Sequence, residues 1–208
     1  MDNIKAHVLD ERGRIKVLAA NEWLSFSWDE IRLFMHEYPI YVLPTKELID
    51  DLKVLIKPYR KTIEIGAGTG NIGRNLGIQM TDSYLQERSD IQAYYAMMGQ
   101  PTITSAPDVM RGDAQTAVRV LKPDCVLGCY VTHYSTSGPG NSWGVKFDQI
   151  LLKVKRLILV GNEETHGDNP IMRVYHKEIT RPGKIITRAG YGSDNRIYVW
   201  GDLGNLLF

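Results

Sequence analysis

Apolar residues fall into two rhythms along this chain. Over roughly the first sixty positions they recur at helical or short alternating spacing. From residue 61 onward they gather into short β-branched runs separated by helical stretches. Residues 6–9 and 14–18 read as a hairpin around the polar turn Asp10-Glu11-Arg12-Gly13. Ser27-Trp28-Asp29-Glu30 fits a capping box and predicts a helix through Ile31, Leu33, Phe34 and Met35 that stops before Pro39. Thr45 caps a second predicted helix whose stripe is Leu48, Leu52, Leu55 and Ile56, and Pro58 ends it.

Strands are predicted at 62–65, 78–81, 109–111, 124–131 and 156–161, with helices at 91–98, 115–121, 147–154 and 171–179. Residues 184–188 and 196–200 read as a closing pair of strands. The near-continuous apolar run at 124–131 marks a strand covered on both faces. Alternation of this kind predicts an α/β domain: a doubly wound, mostly parallel, seven-stranded sheet with helices on both faces. The expected division is an N-terminal hairpin and helix over residues 1–44, available as a substrate cap, and the sheet domain over 45–208. Ligands of such sheets sit beyond the strands' carboxyl ends, where strand order reverses.

Composition narrows the function classes. The chain has 208 residues, 43% hydrophobic and 24% charged, with a net charge of +1, so bulk attraction to nucleic acid or to an acidic membrane is not expected. Met1-Asp2-Asn3-Ile4-Lys5 does not read as a secretory signal, and no apolar run reaches the ~18–20 residues of a membrane span. Cys125 and Cys129 share one predicted strand, about 13 Å apart, too far for a disulfide, which suits a reducing, cytoplasmic location.

The chemistry concentrates at Glu64-Ile65-Gly66-Ala67-Gly68-Thr69-Gly70. Glycines directly after an apolar strand permit a tight turn with positive φ and let a ligand touch the backbone. Gly68-Thr69-Gly70-Asn71-Ile72-Gly73 also satisfies G-x-G-x-x-G, so an NAD(P)-dependent oxidoreductase is an alternative. The ribose-binding acid of that fingerprint belongs about twenty residues farther on, and Asp82 comes too early. Carboxylates at strand ends accept ribose hydroxyls or an exocyclic amine; their structural use is to cap the next helix.

The glycine segment resembles motif I of the class I S-adenosylmethionine-dependent methyltransferases, in which an acid and one residue precede G-x-G-x-G. The resemblance implies a Rossmann-like fold and S-adenosylmethionine as cofactor. It places Glu64, Gly66, Ala67, Gly68 and Gly70 around the amino-acid part, Asp82 and Ser83 at the ribose, and Asp113 and Ala114 at the adenine. Cys129 and Tyr130 then flank the methyl group. The interval between motif I and Asp82 is about four residues shorter than is usual in the family, which makes Glu87 the substitute acid.

Methyl transfer needs alignment and, for some acceptors, a base. His133 and Tyr134, after the fourth strand, are the catalytic candidates, with His133 as base. The Gly/Ser-rich stretch 135–144 is a candidate cover with Trp143 as an apolar wall. Glu163, Glu164, His166 and Asp168 are read as polar loop or substrate contact, with no metal assigned. Residues 151–200 hold nine Lys/Arg against five Asp/Glu, read as a solvated face. The expected acceptor is a small molecule, with protein or RNA open and no membrane partner. A methyltransferase-like binding subunit without turnover is the remaining alternative.

Overall fold

A computed structural model describes residues 2–135, 143–190, 192 and 194–202. Among these residues seven strands form one sheet in the order β3-β2-β1-β4-β5-β7-β6. The strands are β1 (Thr62–Ile65), β2 (Gln79–Asp82), β3 (Met110–Arg111), β4 (Cys125–Cys129), β5 (Arg156–Asn162), β6 (Lys177–Thr180) and β7 (Asn195–Gly201). The first five run parallel, and β7 lies antiparallel to both β5 and β6. The predicted doubly wound, mostly parallel α/β sheet is what forms, and it is open at β3 and β6.

The two sheet faces follow the two-residue period of a strand. Cys125 and Leu127 of β4, Ile158 and Val160 of β5, and Ile197 and Val199 of β7 pack with α4 (Lys46–Ile56). The intervening Val126, Leu157, Leu159, Tyr198 and Trp200 face the other way, onto α7 (Ala114–Leu121) and α8 (Phe147–Leu151). On β1, Ile63 and Ile65 belong to this second layer, so Glu64 points into the first, toward α5 (Asn71–Leu76). β5 is buried along its whole length, as a strand covered on both faces should be.

Both predicted caps form. Ser27 and Glu30 close the capping box of α3 (Trp28–Glu37), and Thr45 accepts the Leu48 amide at 3.3 Å to start α4. Before them stand α1 (Asp2–Val8) and α2 (Ala20–Trp23). α1 replaces the first arm of the expected hairpin. Ile4 and Val8, one helical turn apart, are both fully buried against Phe34 and Met35, and that burial overrides the strand-like reading. Only the turn survives, with Asp10 accepting the amides of Arg12 and Arg14 and a single bridge from Leu9 to Ile15.

Two further expectations are corrected near the C-terminus. Residues 171–179 are not a helix: a short 3-10 turn (Pro170–Arg173) leads into β6, where Ile179 turns inward and Lys177, Glu178 and Thr180 face water. Residues 184–188 are not a sheet strand. Their alternation is real, but its partners are the N-terminal residues: Leu43 N donates to Ile186 O at 3.0 Å and Arg188 N to Tyr41 O at 2.9 Å. Ile185 enters the sheet-side cluster, while Ile186 enters the N-terminal one. The remaining helices, α6 (Ser89–Met97) and α9 (Glu163–His166), flank the carboxyl end of the sheet.

Thr45 joins these parts, because its hydroxyl also donates to Lys184 O at 2.7 Å from a fully buried position. Thr45→Val keeps the shape and removes both bonds. A loss of about 2 kcal/mol is expected, read as a lowered urea midpoint with an unchanged slope.

Candidate functional site

The chain leaves β1 for β2 on one side and returns to β4 on the other, so a crevice opens at the carboxyl end of β1. Gly66, Gly68 and Gly70 turn there with φ of 60°, 51° and 70°. At Gly66 a Cβ would lie 2.7 Å from Val131 Cγ2, so the position excludes any side chain on two grounds. The turn is fixed by Ala67 N to Thr81 O at 3.1 Å, Gly70 N to Ala67 O at 2.8 Å, and Gly68 N to Asp82 Oδ2 at 2.9 Å.

The crevice has a volume of about 1100 Å³, its open mouth included. Glu64, Gly66, Ala67, Gly68, Asp82, Ser83, Asp113, Ala114, Cys129 and Tyr130 all line it. Gly70, also expected at the cofactor, is not among the lining residues and serves instead as the left-handed cap of α5. Glu64 is 2% exposed and accepts the Gly73 amide at 2.8 Å. Burial pushes its carboxyl up to about 8, with the nearby Asp82 charge acting in the same direction and the Gly73 bond opposing it.

Asp82 holds two amides at once, Gly68 N and, at 2.7 Å, Tyr84 N, and burial raises its carboxyl above the usual range. Asp113 caps α7 by accepting Thr116 N at 2.9 Å, which lowers its carboxyl, and it also faces the crevice. Cap and cavity wall are therefore the same residue. Glu87 works elsewhere, accepting Ser105 N at 2.8 Å, while Gln86 accepts Ile103 N at 2.8 Å. Together they hold Ile103 against Gly68, whose own carbonyl accepts Ala106 N at 3.0 Å.

Tyr130 has φ +53°, a left-handed conformation rare for a bulky residue. Its hydroxyl is bonded at 3.1 Å to both Thr187 and Asn195, and burial pushes it up to about 12. His133 and Tyr134 are not among the residues lining the crevice. His133 is 3% exposed, with Nε2 2.6 Å from Asp168 Oδ1, and Ser135 donates to the other oxygen at 2.8 Å. Tyr134 receives Lys146 over its ring at 4.7 Å. His166 is buried beside His133 and Tyr130, and burial lowers it to about 4. Glu163 accepts Tyr198 OH at 3.4 Å, and Asn162 supplies the cap ahead of Glu164. Among the described residues no group of three or more His, Cys, Asp or Glu is arranged to hold a metal ion.

The wall beside Tyr130 includes two residues the sequence did not single out, Tyr41 from the N-terminal segment and Tyr95 from α6, together with Thr132 of the expected strand-end segment and Trp143. Tyr41 carries no motif, and its signal is only that it closes the segment preceding the Thr45 cap. Of the candidate cover 135–144, residues 136–142 lie outside the described residues.

No family model matches this chain, and no curated protein matches it. Among solved structures, WbdD is 15% identical with a TM-score of 0.43 over 84% of this chain, which spans 40% of that one. Cofactor-bound Rv0187 from MTB is 12% identical over 74% of this chain and 79% of that one, with a TM-score of 0.43. The methyltransferase domain of bacterial CtHen1 is 12% identical over 75% and 98%, with a TM-score of 0.42. An open sheet in the order β3-β2-β1-β4-β5-β7-β6, with β7 antiparallel and an acid-x-Gly-x-Gly-x-Gly turn at the switch point, is a Rossmann-like α/β fold. Among the described residues no helix is long and apolar enough to cross a membrane.

Because Glu64 binds its proton more tightly folded than unfolded, its own contribution to stability falls as pH rises from about 4.5 to about 8. Glu64→Gln retains a carbonyl for Gly73 N and carries no charge. Its stability relative to wild type is expected to climb across that window and level off above it, measured by urea denaturation at several pH values.

Proposed function

We propose that the chain is an S-adenosylmethionine-dependent methyltransferase acting on a small-molecule O, N or S acceptor. One observation carries this reading: the left-handed glycine turn after β1 and the acids ending β2 and β3 meet at a single crevice at the switch point. The residues fit the cofactor's parts by chemistry. Asp82 retains lone pairs for a ribose diol beyond the two amides it accepts. Asp113 uses one oxygen as a cap and has another for the adenine amine, with the Ala114 amide beside it for a ring nitrogen. Glu64, ionised, suits the ammonium of the amino-acid end. Cys129 and Tyr130 stand where the methyl group would face the acceptor.

The cofactor, when bound, would supply a sulfonium methyl to an acceptor lone pair; Glu64, Asp82 and Asp113 would hold it, and the crevice walls would align the acceptor. His133 is buried and held by Asp168, with Nε2 2.6 Å from Oδ1.

Calorimetric titration with S-adenosylhomocysteine tests the reading. Binding is expected, with Asp82→Ala and Asp113→Ala each weakening it by about 1–3 kcal/mol. NADH binding tightly to a chain that ignores S-adenosylhomocysteine would overturn it in favour of the oxidoreductase alternative. Binding without transfer of labelled methyl to any cell fraction would favour a subunit without turnover.

A further inference from the structure

Charge is unevenly distributed around the crevice. Among the described lining residues the charged ones are Glu64, Asp82 and Asp113, and no Lys, Arg or His lines it. The three acids lie near the carboxyl ends of β1, β2 and β3, with Glu64 in β1, Asp82 ending β2 and Asp113 just after β3. An uncharged half of the lining is formed by Tyr41, Val42, Tyr95, Tyr130, Thr132 and Trp143.

The aromatic wall is held from behind. The Arg188 guanidinium lies 4.1 Å from the Tyr41 ring centre. Its nitrogens donate to Ile40 O at 3.2 Å and to Gln100 Oε1 at 3.1 Å, so its hydrogen-bonding capacity is directed at the scaffold. His36 meets Gly99 O at 3.3 Å, tying the end of α6 to the N-terminal unit. The Tyr94 ring meets Trp143 edge-on at 6.2 Å, which sets the 143–145 segment beside α6. The Tyr95 hydroxyl faces those of Tyr41 and Thr132, and burial raises its pKa, so it stays a neutral hydrogen-bonding group.

Resting on the methyltransferase reading, we propose that this half of the crevice is an acceptor subsite for an uncharged, planar aromatic compound bearing a hydroxyl, bounded by Tyr41, Tyr95 and Trp143. An anionic acceptor would be desolvated beside the Asp82 and Asp113 carboxylates, and the cation behind the wall, Arg188, is already engaged with Tyr41, Ile40 and Gln100. A group already carrying its full set of bonds and a positive charge has no lone pair to give to a sulfonium methyl. A flat ring matches aromatic walls by edge or offset contact. The Tyr95 and Thr132 hydroxyls supply hydrogen bonds at the one polar point of that wall. The acceptor oxygen forms the bond to carbon, sulfur keeps the pair of the broken S–C bond, and the hydroxyl proton passes to solvent.

The test uses the full chain saturated with S-adenosylhomocysteine, titrated calorimetrically with naphthol, naphthoate and naphthylmethylammonium. Naphthol is expected to bind at least about tenfold more tightly than either charged probe. Tyr95→Phe and Trp143→Ala are expected to weaken naphthol at least about fivefold, with S-adenosylhomocysteine affinity held within about threefold as the check on folding. Equal or tighter binding of a charged probe overturns the proposal, as does undiminished naphthol binding in Tyr95→Phe. So does binding of an RNA oligonucleotide by a chain that takes S-adenosylhomocysteine and ignores naphthol. Failure to bind S-adenosylhomocysteine at all would remove the methyltransferase reading and this subsite with it.

Discussion

A buried carboxylate accepting a backbone amide sets the geometry on which this site depends. Glu64 reaches from β1 to Gly73 N, in the first turn of α5, and leaves no room there for a side chain: a Cβ on residue 73 would meet Glu64 Oε2 and, at 2.6 Å, Met80 Cγ. The strand, the glycine turn and the short helix are thereby locked to one another. Asp82 repeats the device from β2 by holding Gly68 N. Two acids thus shape the loop before any ligand arrives, and each brings a desolvated carboxyl to the crevice wall. Such placement is unfavourable for a fold alone and is characteristic of binding sites.

The N-terminal residues contribute more than bulk. Ile186 completes their hydrophobic cluster and Ile185 completes one of the sheet layers, so two adjacent side chains fasten the two cores together. The segment between α3 and α4 is held against that seam by backbone bonds, and it carries Tyr41 into the crevice wall. Arg188, on the same seam, stacks on Tyr41 from the protein side.

Much of the sheet was legible because period-two burial and strand-end glycines are local signals. The caps at Ser27 and Thr45, the turn after β1 and the burial of β4 follow from neighbouring residues alone. Where expectation and structure part, the deciding contact is distant in sequence. Ile4 and Val8 become helical because Phe34 and Met35 cover them, and residues 184–188 pair with residues 41–45 rather than with the sheet. The acids of the crevice were legible because each lies near the carboxyl end of a strand. Tyr41 and Tyr95 were not, since nothing in their surroundings in the sequence distinguishes them until the fold brings them together. The placement of His133 turns on Asp168, 35 positions away.

The seam at Ile185 and Ile186 also has a consequence for synthesis. Residues 4–43 emerge from the ribosome early, yet their cluster lacks its last apolar side chain, and Leu43 its backbone acceptor, until residue 186 has followed. Closing contacts over so long a separation carries a high loop-closure cost. Translation must therefore run past residue 188 before the N-terminal cluster and the Tyr41 wall can have all their native partners.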